Sequence, residues 1–130
     1  METAMIFERF WNRYSTENPG AKRIYDLFTA RGEKVVHDHI ALRTFDDPRM
    51  NIDVIARVFT ANGYEARGNY EFKAKKLRGK HFEHKNDPTA PKVFISELLT
   101  DQFSDYLKTT VRRYLNSLAD SVYADPDMVY

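Results

Sequence analysis

The first thirty residues carry two apolar stripes at helical spacing. Phe7, Phe10, Trp11 and Tyr14 recur at i, i+3, i+4 and i+7, which is one face of a helix. Asn18-Pro19-Gly20 breaks the pattern, and Ile24, Leu27 and Phe28 resume it. Gly32 stands where a second helix would end on a C′ glycine. The period then drops to two. Over residues 35–45, Val36, Ile40, Leu42 and Thr44 share one parity, and His37, His39, Ala41, Arg43 and Phe45 share the other. This alternation predicts a strand, closed by the turn Asp46-Asp47-Pro48. Helical spacing returns in Ile52, Ile55, Ala56 and Phe59, and Asn62-Gly63 stops it.

Two strands, over 64–75 and 77–85, are predicted next from alternating aromatic and charged residues around Leu77-Arg78-Gly79. After a loop containing Pro88 and Pro91, the run from Lys92 to Leu98 reads as the last strand. Phe103, Leu107, Val111, Tyr114, Leu115 and Leu118 then mark an amphipathic helix over about 101–118, with Thr100 as its N-cap. The expected architecture is a single α+β module. It has a helical preamble (1–33), a strand-helix-strand-strand-strand core (34–99) and a C-terminal helix (100–120).

Composition narrows the classes. A chain of 130 residues, 42% hydrophobic and 14% aromatic, can bury a real core as one domain. Twenty basic against 19 acidic residues leave a formal charge of +1, which supplies no global attraction to nucleic acid or an anionic membrane. Zero cysteines exclude a disulfide scaffold, a thiolate zinc site and a cysteine nucleophile. The opening residues lack a signal-peptide pattern, and no apolar run approaches the ~20 residues of a membrane span. These features read as a soluble, cytoplasmic protein. The apolar ending Met128-Val129-Tyr130 reads as the cut end of a longer protein or a surface another chain covers.

His39 and Arg43 are the leading candidates for chemistry. Four residues apart on one side of a strand, their Cα atoms would lie roughly 13 Å apart. A small anion fits between them, one end on a metal held by the imidazole and the other in the guanidinium fork. The alternative is a polar strand face that looks into water. His37 shares that parity and could be a second metal ligand or a solvent-facing histidine. Asp38, on the other parity, reads as a structural hydrogen-bonding residue. Glu97 ends the apolar row of Val93 and Ile95, so it is either a metal ligand or half of a buried ion pair. Ser96 has no visible base and is not read as a nucleophile. Lys73, Lys75, Lys76, Arg78, Lys80 and Lys85, interleaved with Phe72, His81, Phe82 and His84, could bind single strands, but Glu71 and Glu83 dilute the charge. A solvated hairpin is the preferred reading, without nucleic acid.

The phrase Asp38-His39-Ile40-Ala41-Leu42-Arg43-Thr44-Phe45 resembles the first-strand signature of the 2-oxoadipate dioxygenase/decarboxylase family, a branch of the glyoxalase-like, vicinal-oxygen-chelate superfamily. Phe10-Trp11 with Tyr14, Asn18-Pro19 and the stretch from Val93 to Leu98 support the resemblance, in the expected order. It implies a βαβββ glyoxalase-like module with two N-terminal helices and a C-terminal helix. It further implies iron(II), Fe(2+), held by two histidines and a glutamate. The implied reaction converts a 2-oxo dicarboxylic acid and O2 to a shortened 2-hydroxy acid and CO2, as from 2-oxoadipate to 2-hydroxyglutarate. By position, His39 matches the first-module metal histidine, beside the substrate, and Arg43 the substrate-binding arginine. The second histidine and the glutamate belong to a later module in that family. The chain is therefore expected to be the N-terminal part of a larger metalloenzyme, or a module completed by a second chain, for which a homodimer is one form. The competing expectation is a catalytically incomplete glyoxalase-like module that binds a small ligand or a partner protein.

Overall fold

The computed structural model describes residues 3–130; Met1 and Glu2, inside the expected preamble, lie outside the described residues. The backbone groups into two compact units, one comprising the residues up to Asp38 together with Tyr130, the other His39–Val129.

In the first unit, α1 spans Thr3–Glu17 and α2 spans Pro19–Ala30. Pro19 opens α2, where its missing N–H costs nothing. The helix closes as anticipated on Gly32, at φ +83°, with Glu33 N–H donating to Phe28 O (3.1 Å) and Gly32 N–H to Thr29 O (3.0 Å). That is the paired 6→1 and 5→2 closure of a Schellman motif. The α1 stripe is in use: Trp11 lies 5.0 Å from Tyr25 and 5.0 Å from His37, ring centroid to centroid. Ile24, Leu27 and Phe28 on α2, in contrast, are 53–64% exposed.

The second unit holds a four-stranded sheet in the order β1-β4-β3-β2. Its strands are β1 (His39–Phe45), β2 (Tyr64–Phe72), β3 (Leu77–His84) and β4 (Lys92–Leu98). β1 runs parallel to β4, and the other neighbours are antiparallel. With the crossover helices between β1 and β2, this is the expected βαβββ module. Its first strand starts later than expected, at His39 rather than residue 35, because ladder pairing begins with His39 opposite Lys92. Val36 is accordingly exposed.

β4 is central, and its continuous Val-Phe-Ile run suits a strand flanked on both edges. Two short helices, α3 (Ile52–Ile55) and α4 (Arg57–Thr60), cover one face of the sheet, where the pattern predicted one unbroken helix. Ala56 interrupts them with a turn-like ψ of −11°. Asn51 caps α3 by accepting from Val54 N–H at 3.1 Å. Ile52, Val58, Phe59, Tyr64, Phe82, Val93 and Ile95 fill the resulting core. A side chain like that of Phe59, fully buried, contributes roughly 2–3 kcal/mol by leaving water.

The C-terminal helix also starts later than expected. Thr100 does not cap it; its N–H and hydroxyl both donate to the Asp46 carboxylate, with the hydroxyl at 2.7 Å. The helix, α5, runs Asp105–Ser117 and is capped by Ser104. A short α6 (Asp120–Ala124) and a 3₁₀ turn (Pro126–Val129) follow, and the turn reaches α3 and α4. Met128 and Val129 are half-buried there.

Candidate functional site

Strand register sorts the polar residues of the second unit onto two faces. On the face away from α3 and α4, four rows cross the sheet. His39 and Lys92 form one row, with Glu83 3.7 Å from the Lys92 ammonium; Ala41, Phe94, His81 and Gly68 the next; Arg43, Ser96, Gly79 and Tyr70 the third; Phe45, Leu98, Leu77 and Phe72 the fourth. His39 and Arg43 thus share a face, as the parity predicted, and both are exposed on edge strand β1. Arg43 makes no side-chain hydrogen bond or ion pair among the described residues.

Glu97 lies on the other face. It pairs with Thr44 on β1 and Arg78 on β3, one position out of phase with His39 and Arg43. It is 3% exposed, accepts from Ile52 N–H at 3.0 Å and from Arg78 Nε at 2.8 Å, and also meets Arg78 Nη2. Of the two alternatives open for Glu97, the structure takes the ion pair. A buried carboxylate requires such donors, since an unpaired charge there would cost several kcal/mol. Reciprocally, the hydrogen bond and charge of Glu97 hold the Arg78 guanidinium above its ordinary pKa.

His37 belongs to the first unit, and its residue lies in irregular chain rather than a strand. Its ring stacks on Tyr25 at 6.4 Å and packs against Trp11. The His-x-His strand geometry is therefore absent. Asp38 is exposed, and Ser96, buried in the floor of the open face, lies beside Gly79 and Arg43. The basic hairpin tip is exposed from Glu71 to Lys75.

The open face also carries groups that the sequence reading did not assign to this site. Tyr70 Oη and His81 Nδ1 are hydrogen-bonded at 2.8 Å. Tyr70, Phe72 and Phe94 form a ring cluster with centroids 6.0–6.5 Å apart. Two glycines make the room: a Cβ on Gly79 would stand 2.7 Å from Phe94 Cζ, and one on Gly68 would stand 2.9 Å from His81 Nδ1. The available signal was the alternation of Gly68, Tyr70 and Phe72 opposite Leu77, Gly79 and His81, which places all six side-chain positions on one face.

As a metal centre the face is incomplete. Among the described residues no group of three His, Asp or Glu side chains could hold a metal ion. His39 offers one imidazole, and Glu97 is committed elsewhere. The described residues do not by themselves fit an iron(II) ion.

A sequence model of the 2-oxoadipate dioxygenase/decarboxylase family matches residues 6–124. The chain belongs to that family. It is 34% identical over 117 residues to the rice (Oryza sativa subsp. japonica) protein named 2-oxoadipate dioxygenase/decarboxylase, chloroplastic/amyloplastic, a match covering 80% of this chain and 31% of that one. The Arabidopsis thaliana 2-oxoadipate dioxygenase/decarboxylase, named chloroplastic, is 34% identical over 112 residues, covering 78% of this chain and 30% of its own length. The chain thus spans about a third of the curated family members it matches.

Among solved structures, hydroxyglutarate synthase from Oryza sativa, in complex with 2-oxoadipate, superposes with TM-score 0.80 and 31% identity over 87% of this chain and 39% of that chain. A Shewanella frigidimarina protein with a provisional hydrolase name reaches 0.88 and 38% over 95% and 48%. A glyoxalase-superfamily protein from Ralstonia eutropha JMP134 reaches 0.76 and 28% over 89% and 37%. Family members are named as enzymes, and the fold is that of glyoxalase-superfamily proteins. No described helix is long and apolar enough to cross a membrane.

Proposed function

We propose that this chain supplies one half of an iron(II)-dependent site that converts a 2-oxo dicarboxylic acid such as 2-oxoadipate, with O2, to a shortened 2-hydroxy acid and CO2. The carrying observation is the placement of His39 and Arg43, exposed on the same face of edge strand β1, in a member of a family named for this reaction. Arg43 binds the substrate carboxylate farther from the reacting centre, because a guanidinium offers two parallel N–H donors to a carboxylate. His39 contributes an imidazole to the metal, and the remaining donors come from a second module or a second chain, as in a homodimer. Iron(II), when bound, supplies the oxygen activation that no side chain here can perform. The rice synthase solved with 2-oxoadipate supports the substrate class. A cytoplasmic location belongs to the same proposal, while both plant relatives carry chloroplastic in their names.

The test is anaerobic loading with iron(II), measurement of retained metal, and 2-oxoadipate-dependent O2 uptake. Protein whose site is completed by the second module or second chain should retain iron, and His39→Ala in that protein should lose it. Equal retention by the two proteins would remove His39 from the metal site. The absence of a three-donor cluster among the described residues favours one second reading, a module that binds a small ligand or a partner protein without turnover. Binding of 2-oxoadipate with no O2 uptake by the iron-loaded protein would select it.

A further inference from the structure

We infer that His81 is a further substrate-binding residue, its Nε2–H donating to the 2-oxo-acid end of the ligand; this rests on the substrate class proposed above. Three observations carry it. The register places His81 on the face of His39 and Arg43, in the row between theirs and two strands away. At ~4.8 Å between strands and ~3.3 Å per residue, its Cα lies about 12 Å from each of theirs. The three side chains therefore stand at the corners of a near-equilateral triangle that a small dicarboxylate can occupy, with Ala41 and Phe94 between them.

The second observation is the ring's orientation. Tyr70 stands in the Arg43 row and bonds Nδ1, so Nε2 turns toward the row of His39. With the phenol as donor to Nδ1, the ring carries its proton on Nε2, the nitrogen that stands toward the Glu83 carboxylate. The third is what that N–H meets. Glu83 Oε2 is 3.8 Å from Nε2, inside ion-pair reach but beyond hydrogen-bond length, and Glu83 is itself within 3.7 Å of Lys92. With 26% of its side chain exposed, His81 is held in place yet open to solvent, with a directed donor left for a ligand oxygen. Gly68 is part of the same device, since any side chain there would push the ring out of this pose.

The experiment is calorimetry of 2-oxoadipate and 2-oxohexanoate, which keeps the 2-oxo-acid end but lacks the second carboxylate, together with imidazole ¹⁵N shifts. Loss of one hydrogen bond to a charged group predicts that His81→Ala weakens both ligands about tenfold. His81→Gln, which retains an N–H donor at a similar reach, should stay within about threefold of wild type. Arg43→Ala should weaken 2-oxoadipate alone. In the wild-type protein the His81 Nε2 shift should move on addition of either ligand. If His81→Ala binds like wild type while Arg43→Ala loses 2-oxoadipate, the inference on His81 falls and the proposed function stands. Should His81→Ala fail to fold, an Nε2 shift that both ligands leave unmoved overturns the inference. Wild-type protein that binds no 2-oxoadipate overturns both.

Discussion

The two faces of this sheet treat charge in opposite ways. On the covered face, Glu97 and Arg78 sit in register and close on each other, and Glu97 also takes the Ile52 N–H. On the open face, one residue out of phase, Arg43 is exposed and His81 keeps one ring nitrogen free of a close hydrogen bond. A carboxylate buried as Glu97 is must be neutralised on the spot, because water does not reach it. A charge on an exposed strand face stays solvated and remains available to a ligand. The comparison separates groups that hold the module together from groups that can bind something else.

The strongest way to break this separation is Glu97→Ala. Removing one partner of a buried pair costs about 3 kcal/mol, toward the low end of such losses because Arg78 is 57% exposed and can rehydrate. Urea unfolding should show that loss; a change below 0.5 kcal/mol would show that the pair contributes little. Arg43→Ala should do the reverse. It should weaken 2-oxoadipate binding by about 10- to 100-fold, the value of a charge-assisted hydrogen-bonded pair, with stability unchanged within about 0.5 kcal/mol. Gly79→Ala probes the floor of the open face. Its Cβ would meet Phe94 at 2.7 Å, and displacing that ring should cost about 1–2 kcal/mol and disturb the Tyr70–Phe72–Phe94 cluster, seen as altered near-UV dichroism.

The smallest effect concerns Tyr64, buried on the covered side with its hydroxyl donating to Pro91 O at 2.7 Å. Burial, with a lesser contribution from the Asp87 charge, pushes the phenol up to about 12 from an ordinary 10.0. The folded-state value is the higher one, so the neutral phenol favours the fold. That contribution is complete below pH 10 and is lost as pH rises toward about 12. Burial also raises Tyr123, so phenolate absorbance should show Tyr64 among the late-ionising tyrosines, and Tyr64→Phe should shrink the late step by one tyrosine at a stability loss of about 1 kcal/mol.

The strand-helix-three-strand order could be read from the chain because each element carries its own period, and the residues that end the helices state their role locally. Gly32 and Gly63 both adopt the positive φ their positions announced. Boundaries were less accessible, since they depend on neighbours distant in sequence. β1 waits for Lys92 before it begins, and Thr100 gives its hydrogen bonds to Asp46 instead of a helix. The same limit separated Glu97 from His39. Each residue's parity within its own strand was plain, but which parity of β4 matches which parity of β1 is a matter of register.

By itself, then, the sequence determined the elements, the family phrase around His39 and Arg43, and the fact that these two share a side. Those properties depend on residues within a few positions of one another, where backbone geometry alone sets direction. The tertiary structure decided that Glu97 serves Arg78 and α3, that His37 stacks among aromatic rings in the first unit, and that His81 joins the face of His39. Each of those outcomes required two strands or helices to meet in one register, and a hydrogen-bond ladder between segments tens of residues apart leaves no local mark.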